Sequence, residues 1–358
     1  MPKTIQSIQF MRFVAALLVV FFHATQAIRN NLGGISAEFL HFTELGASGV
    51  HIFFVISGFI MMYTSFSSTH SEFLPKDFYI RRFLRIYPIY WVCCALYVLF
   101  HDFFGNGYNV SLGGVAGSLF LLPGYSHLII GPGWTLAYEI YFYLCFGVLM
   151  CLGLSRGFFA LFTFFALSIL IGILFNVHNA FLKFLSNSLL IEFLCGSAIA
   201  YIVILSERDI VPKNLSFIMQ ITAICALIST YFVGYRSIPT FITWGVPSAV
   251  LIAGLVFNER QGFIWGFVQR FAFLGNSSYS LYLLHILLID LVITIYKTIL
   301  PPPGVLSIPL CIIATIASVA VAVVFYNLIE YNLTIVFPKL MQYWIGSNRK
   351  GVPRSAKI

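Results

Sequence analysis

Apolar runs of about 20 residues, the length at which an α-helix crosses the hydrocarbon core of a bilayer, recur from one end of the chain to the other. With the polar residues that interrupt them, they predict ten helical spans: 8–28, 46–66, 85–104, 133–153, 157–175, 187–205, 215–233, 239–257, 276–299 and 307–333. The Gly-rich stretch from Ser111 to Pro132 is too short and too broken to span. It reads as an outer loop or as a re-entrant segment, the second being tolerable only where protein surrounds the backbone.

Composition turns this pattern into a fold class. Hydrophobic residues make up 60% of the 358 and charged residues 9%, against roughly 25% charged in soluble proteins. With a mean hydropathy of +0.94, there is too little polar surface to cover a water-soluble body. The expected fold is an all-α, polytopic membrane bundle; disorder, a fibre, a disulfide scaffold and a soluble nucleic-acid binder are excluded. Lys3 ahead of the first apolar run imitates a signal peptide. Arg12 and His23 interrupt that run and no good A-x-A site follows, so the helix is expected to be retained. A soluble second domain is not expected, the residues after Pro338 forming only a short basic segment.

The formal net charge of +8 says more by position than by sum. Fifteen of the 20 basic residues fall on one set of alternating loops: Lys3, Lys76, Arg81, Arg82, Arg85, Arg156, Arg208, Lys213, Arg260, Arg270, Lys339, Arg349, Lys350, Arg354 and Lys357. Four fall on the other set (Arg29, Lys183, Arg236 and Lys297), and Arg12 lies inside the first span. The positive-inside rule then predicts that both termini are cytoplasmic, as an even number of spans requires. The seven cysteines are scattered, with no C-x-x-C or Cys/His ligand spacing, so neither a disulfide framework nor a metal site is indicated. Neither a Walker loop nor a dinucleotide fingerprint occurs.

Ionisable groups inside a span are costly and mark functional candidates. Arg12, His23, Glu139, Glu192 and His285 stand out. Arg12 and His23 are eleven residues apart, so they share one helix face about 16 Å apart along the axis. Counting the rise per residue from each end puts His23 about 22 Å above the inner face and Glu139 about 9 Å below the outer one, nearly the same depth in a core about 30 Å thick. A carboxylate beside an imidazole can hold its tautomer and stabilise its charged form.

Each candidate also has a plain structural reading. His23 can be a buried histidine satisfied by a backbone carbonyl, and Arg12 can snorkel to the interface. Glu192 can be a carboxylate hydrogen-bonded between helices, and His285 is open in the same way. Arg82 and Arg85, neighbours on one helix face, can clamp a phosphorylated ligand or anchor the helix against anionic lipid. Ser57-Gly58-Phe59 reads as a small-residue notch for helix packing.

Seven ordered pieces of the chain resemble a known family. They are Arg12-x10-His23; Gly49-Val50-His51-Ile52-Phe53-Phe54-Val55-Ile56-Ser57-Gly58-Phe59; Arg82-x-x-Arg85 leading into Ile86-Tyr87-Pro88; Trp134-Thr135-Leu136-x-x-Glu139; Glu192-Phe193-Leu194-Cys195-Gly196; the run Gly275 to His285; and Ile329-Glu330. Together they look like the integral-membrane acyltransferase-3 family, and most like its compact bacterial exopolysaccharide and O-antigen O-acetyltransferases (ExoZ-like). The resemblance implies a membrane acyltransferase domain over 1–337 with a short basic cytoplasmic tail over 338–358, in the bacterial cytoplasmic (inner) membrane. It implies transfer of an acyl group, usually acetyl, from cytoplasmic acyl-CoA (acetyl-CoA by default) to a hydroxyl of a cell-surface or lipid-linked glycan, with membrane lipid as the surroundings. No metal and no nucleic acid are implied.

Carried over to this sequence, Arg12 and His23 match the family's essential pair and Arg82 and Arg85 its second arginine motif. Glu139 matches the acid of the Trp-Ser/Thr-Leu-x-x-Glu segment. On this reading His23 is a general base on the acceptor hydroxyl, or is itself acylated first. Glu139 orients it, Arg82 and Arg85 hold the donor phosphates, and Arg12 steers the ligand. Glu192, His285, Ser57 and Trp134 are the further candidates to line the substrate or its conduit. Two positions depart from the family: His51 stands where Asp is common, and Asn332 where a Pro often follows the last Glu. The competing readings are a transporter or exporter of glycan or acyl groups, and an acyltransferase acting on a small molecule. The half-to-half self-similarity that would favour a transporter is not found.

Overall fold

The computed structural model describes residues 4–67, 73–104, 112–123, 129–206, 211–233, 238–299 and 306–336. The tail over 338–358, Ser111 and the loop residues Lys3, Arg208 and Arg236 lie outside them. Among the described residues ten helices are long and apolar enough to cross a membrane: α1 (Gln6–Leu32), α2 (Ala37–Phe66), α3 (Pro75–Phe103), α4 (Gly131–Leu152), α5 (Leu154–Leu174), α6 (Ala180–Leu205), α7 (Lys213–Phe232), α8 (Phe241–Arg260), α9 (Gly266–Ile299) and α10 (Ser307–Thr334). No strand occurs among the described residues.

Several helices run past the ends that the apolar pattern sets. α3 begins at Pro75, ten residues before the apolar run, because a proline in the first turn has no N–H to leave unpaired. Its first turns therefore carry Asp77, Arg81, Arg82 and Arg85 inside the helix. α9 likewise starts with the short helix Gly266–Phe271 and a 3-10 stretch over Ala272–Ser277 before its main part. The Gly-rich segment is packed on protein where it is described. A short helix, Leu112–Leu119, receives hydrogen bonds from α3: Tyr90 Oη donates to the Ser118 carbonyl and Trp91 Nε1 to that of Leu119.

α1 packs against α2, α8, α9 and α10, so its polar residues face protein from several sides. Its N-terminus is tied down by Glu259 of α8, whose two carboxylate oxygens each accept a backbone N–H, from Gln6 and Ser7, at 2.7 Å. A carboxylate there satisfies orphan donors and complements the helix dipole. α2 and α6 touch backbone to backbone. A methyl group on Gly58 would overlap the Phe193 carbonyl, and one on Gly196 the Val55 carbonyl; Ser197 Oγ donates to the Gly58 carbonyl across the same contact at 3.1 Å. The notch over Ser57-Gly58-Phe59 is thus a packing site through its glycine.

Candidate active site

A cavity lies between α1, α2, α3, α4 and α9. Arg12, Ser57, Arg85, Glu139, Tyr143 and Tyr282 supply much of its polar lining. A second cavity lies toward the N-terminus of α1, lined by Thr4, Gln9, Tyr63 and Thr64 among others. Arg12, Ile60 and Arg85 line both. Two guanidiniums therefore stand where the cavities meet.

The helices explain that placement. Arg12 sits two turns into α1, its Nη1 donating to Gln9 Oε1 at 3.1 Å, within electrostatic reach of Arg85, Glu330 and Glu139. Among the described residues the Arg85 guanidinium has neither a hydrogen-bond nor an ion-pair partner. Arg82, three residues earlier, is used differently. It is buried, donates to Thr64 Oγ1 at 3.2 Å and lies over the rings of Phe78 and Tyr143. The expected two-arginine clamp thus divides: Arg85 faces the cavities, while Arg82 braces Tyr143 from behind. Counting Arg12, Arg82 and Arg85 against Glu139 and Glu330, the cluster carries three formal positive charges and two negative. The surplus favours an anion at the junction.

Glu139 accepts the hydroxyl proton of Ser57 at 2.7 Å and that of Tyr143 on the same oxygen. Ser57 is thereby a polar residue of the cavity wall as well as part of the packing notch. Nearer the start of α4, Thr135 Oγ1 and Tyr282 Oη lie 2.8 Å apart, each 3.1 Å from the Pro132 carbonyl, which joins α4 to α9. Trp134 is 43% exposed and packs edge-on against Phe54 and Tyr138, outside the cavity wall.

The hydrogen bond expected between Glu139 and His23 is not made. His23 Nδ1 instead meets His285 Nε2 at 2.9 Å, and His285 Nδ1 meets the Tyr282 carbonyl at 2.7 Å. Matching depth along two helices did not specify which faces meet: Glu139 points toward α2, and His23 toward α9. Glu192 also has a partner that spacing did not supply. It is fully buried and pairs at 2.6 Å with His51 Nδ1, with Trp244 packed edge-on against the imidazole. A side chain at Gly245 would collide with this carboxylate. The departure at His51 is therefore matched by a hydrogen-bonding partner of its own, away from the cavity lining.

Glu330, named in the last of the seven pieces but given no role there, joins the cluster of Arg12 and Arg85. It is buried near the end of α10, accepts the Ser280 hydroxyl proton, and lies within electrostatic reach of Arg12 and Arg85. As a carboxylate within the apolar run 307–333 it carries the same signal that singled out Glu139. Among the described residues no group of three or more His, Cys, Asp or Glu side chains is arranged to hold a metal ion.

Fold and site together define a multi-pass membrane protein with an arginine-lined cavity within its helix bundle. Residues 5–327 match the acyltransferase-3 family, described as an acyltransferase domain, and the chain belongs to that family. Among curated proteins it is similar to the exopolysaccharide production protein ExoZ of Rhizobium meliloti (strain 1021), 28% identical over 261 residues that cover 70% of this chain and 79% of the relative. No solved structure matches the chain.

Proposed function

We propose that this acyltransferase moves an acetyl group from acetyl-CoA on the cytoplasmic side to a hydroxyl of an exopolysaccharide or its lipid-linked precursor, in a bacterial cytoplasmic membrane. The observation that carries the proposal is the junction of the two cavities, where Arg12 and the unpartnered Arg85 stand. Guanidiniums suit phosphate oxygens through charge-assisted, bidentate hydrogen bonds. On the orientation that the loop charges predict, the cavity lined by Thr4 and Thr64 opens toward the cytoplasm. The donor set there fits a phosphorylated, elongated ligand: cations where the cavities meet, and beyond them a largely apolar chamber with a few hydroxyls and the Glu139 carboxylate. The acyl donor brings the activated thioester; the chain's own residues bind, orient and move the proton.

Three tasks fall to these residues. Arg85 and Arg12 hold the anionic part of the donor and set its depth. His23, on the same face of α1 as Arg12, takes the proton of the acceptor hydroxyl. Neutral imidazole, with a reference pKa near 6.5, suits that role. Glu139, held by Ser57 and Tyr143, keeps the cavity wall polar and offsets the arginines. The name of the relative from Rhizobium meliloti supports a glycan acceptor.

The test uses purified protein in liposomes with labelled acetyl-CoA on one side and exopolysaccharide on the other. The wild type is expected to label the glycan, and His23→Ala to do so about 10²–10⁴-fold more slowly, the usual contribution of general acid–base catalysis. Equal labelling by both would sink the assignment. Glycan crossing the bilayer without acquiring label would favour an exporter.

A further inference from the structure

The contact between His23 and His285 determines more than proximity. Their facing nitrogens are 2.9 Å apart, the ring centroids 5.0 Å apart and the ring planes 25° apart. That centroid separation is close to the largest that such a nitrogen contact allows. Each nitrogen therefore points its in-plane lone pair or N–H at the other ring, as a hydrogen bond requires. The far side of His285 fixes the direction of the bond. A backbone carbonyl has no proton to give, so at 2.7 Å from the Tyr282 carbonyl it is His285 Nδ1 that carries the hydrogen. In the neutral ring Nε2 is then a lone pair, and the proton between the two imidazoles belongs to His23 Nδ1. His23, when neutral, is left with its lone pair on Nε2. The ring is partly exposed, and Nε2 has no hydrogen-bond partner among the described residues.

We propose that His285 is a positioning residue for acyl transfer: it locks His23 in the tautomer protonated at Nδ1, so that Nε2 is free to accept the proton of the acceptor hydroxyl. The chain runs from the Tyr282 carbonyl through His285 to His23 and uses no carboxylate. When His23 takes up a proton at Nε2, its Nδ1–H still has the His285 lone pair as acceptor, so the imidazolium is not left without a partner. Tyr282 anchors the relay at the cavity, because its side chain lines the wall while its carbonyl holds His285. The assignment rests on the reading of His23 as the base, and the two are separable by experiment.

The direct readout is nitrogen-15 NMR of histidine-labelled protein in detergent or bilayer, which distinguishes protonated from unprotonated ring nitrogens. The resonances lost in His23→Gln identify His23. In the wild type at neutral pH, Nδ1 of His23 is expected to be protonated and Nε2 not; in His285→Leu the preference is lost. Activity is followed as thiol release from acetyl-CoA with exopolysaccharide as acceptor. His285→Leu is expected to lower kcat about 10²-fold, in the range for a misdirected base, with KM for acetyl-CoA little changed. His285→Gln, whose amide oxygen can accept from His23 Nδ1–H, is expected to restore most of the loss. A wild-type His23 protonated at Nε2, or equal kcat for the Leu and Gln variants, would overturn the relay even if His23→Gln is inactive. Full activity of His23→Gln would instead overturn the base itself, and with it the catalytic meaning of the tautomer, which the spectrum would still show.

Discussion

Arg85 has no hydrogen-bond or ion-pair partner among the described residues and the largest proposed effect on the donor. Hydrogen bonds to charged groups are worth roughly 1.5–3 kcal/mol, so Arg85→Ala is expected to raise KM for acetyl-CoA about 10–100-fold, with a smaller effect on kcat. Lys, keeping the charge without the fork, is expected to recover part of it. An unchanged KM in Arg85→Ala would remove the residue from donor binding. The pair His51–Glu192 makes a different demand, since both partners are buried. Removing one partner of such a pair costs about 3–5 kcal/mol, whereas replacing both by apolar groups of similar volume is often neutral or better. Glu192→Leu is therefore expected to lower the thermal midpoint in detergent, and the double variant with His51→Leu to restore much of it. A double variant as unstable as the sum of the two singles would contradict a paired role.

At the scale of helices, the account depends on α1 being held at a fixed height and on α2 and α6 meeting closely. Glu259→Ala removes the cap on Gln6 and Ser7, for which about 0.5–2 kcal/mol is expected. Hydrogen exchange confined to the first turn of α1 would report it, and unchanged protection there would contradict the cap. Gly58→Val is expected to exceed the roughly 1–3 kcal/mol of ordinary overpacking, because the obstacle is the Phe193 carbonyl rather than a mobile side chain. Much of this level was legible in the sequence. The ten apolar runs became ten helices, because the bilayer leaves the backbone few alternatives. The ends were not legible where polar residues belong to the helix, as in the first turns of α3, since hydropathy marks where apolar contact stops and not where the hydrogen-bond ladder stops. Lateral pairing was legible least. Arg12 and Glu139 line one cavity as their burial cost suggested, but His23 was assigned the wrong partner. Rise per residue gives depth, and only packing decides whether a face meets α4 or α9.

Across the whole molecule, the sparse charges have two uses. The 15-to-4 split of basic residues outside Arg12 is the basis of the proposed orientation, while Arg12, Arg85, Glu139 and Glu330 gather within electrostatic reach of one another inside the bundle. Glu330 was legible as an acid within the last apolar run, but its place beside Arg12 and Arg85, like the His23–His285 contact, depends on α9 and α10 returning to α1, a long-range closure that no local spacing encodes. The orientation has its own check: single cysteines placed after Gly153 and after Gly262, on the basic-loop side, should react with an impermeant thiol reagent only from the cytoplasm. Labelling from outside would reverse the assignment of faces. The central claim is the proposal that a donor on the basic-loop side reacts with an acceptor on the opposite side, with His23 as the base, joined through His285 to Tyr282 of the cavity wall. Its most direct measurement is sided transfer in oriented proteoliposomes, with labelled acetyl-CoA confined to one face and exopolysaccharide to the other. The account predicts labelled glycan only when the donor occupies the face of the basic loops, and almost none with His23→Ala. Transfer that is indifferent to the donor's side, or undiminished in His23→Ala, would contradict it.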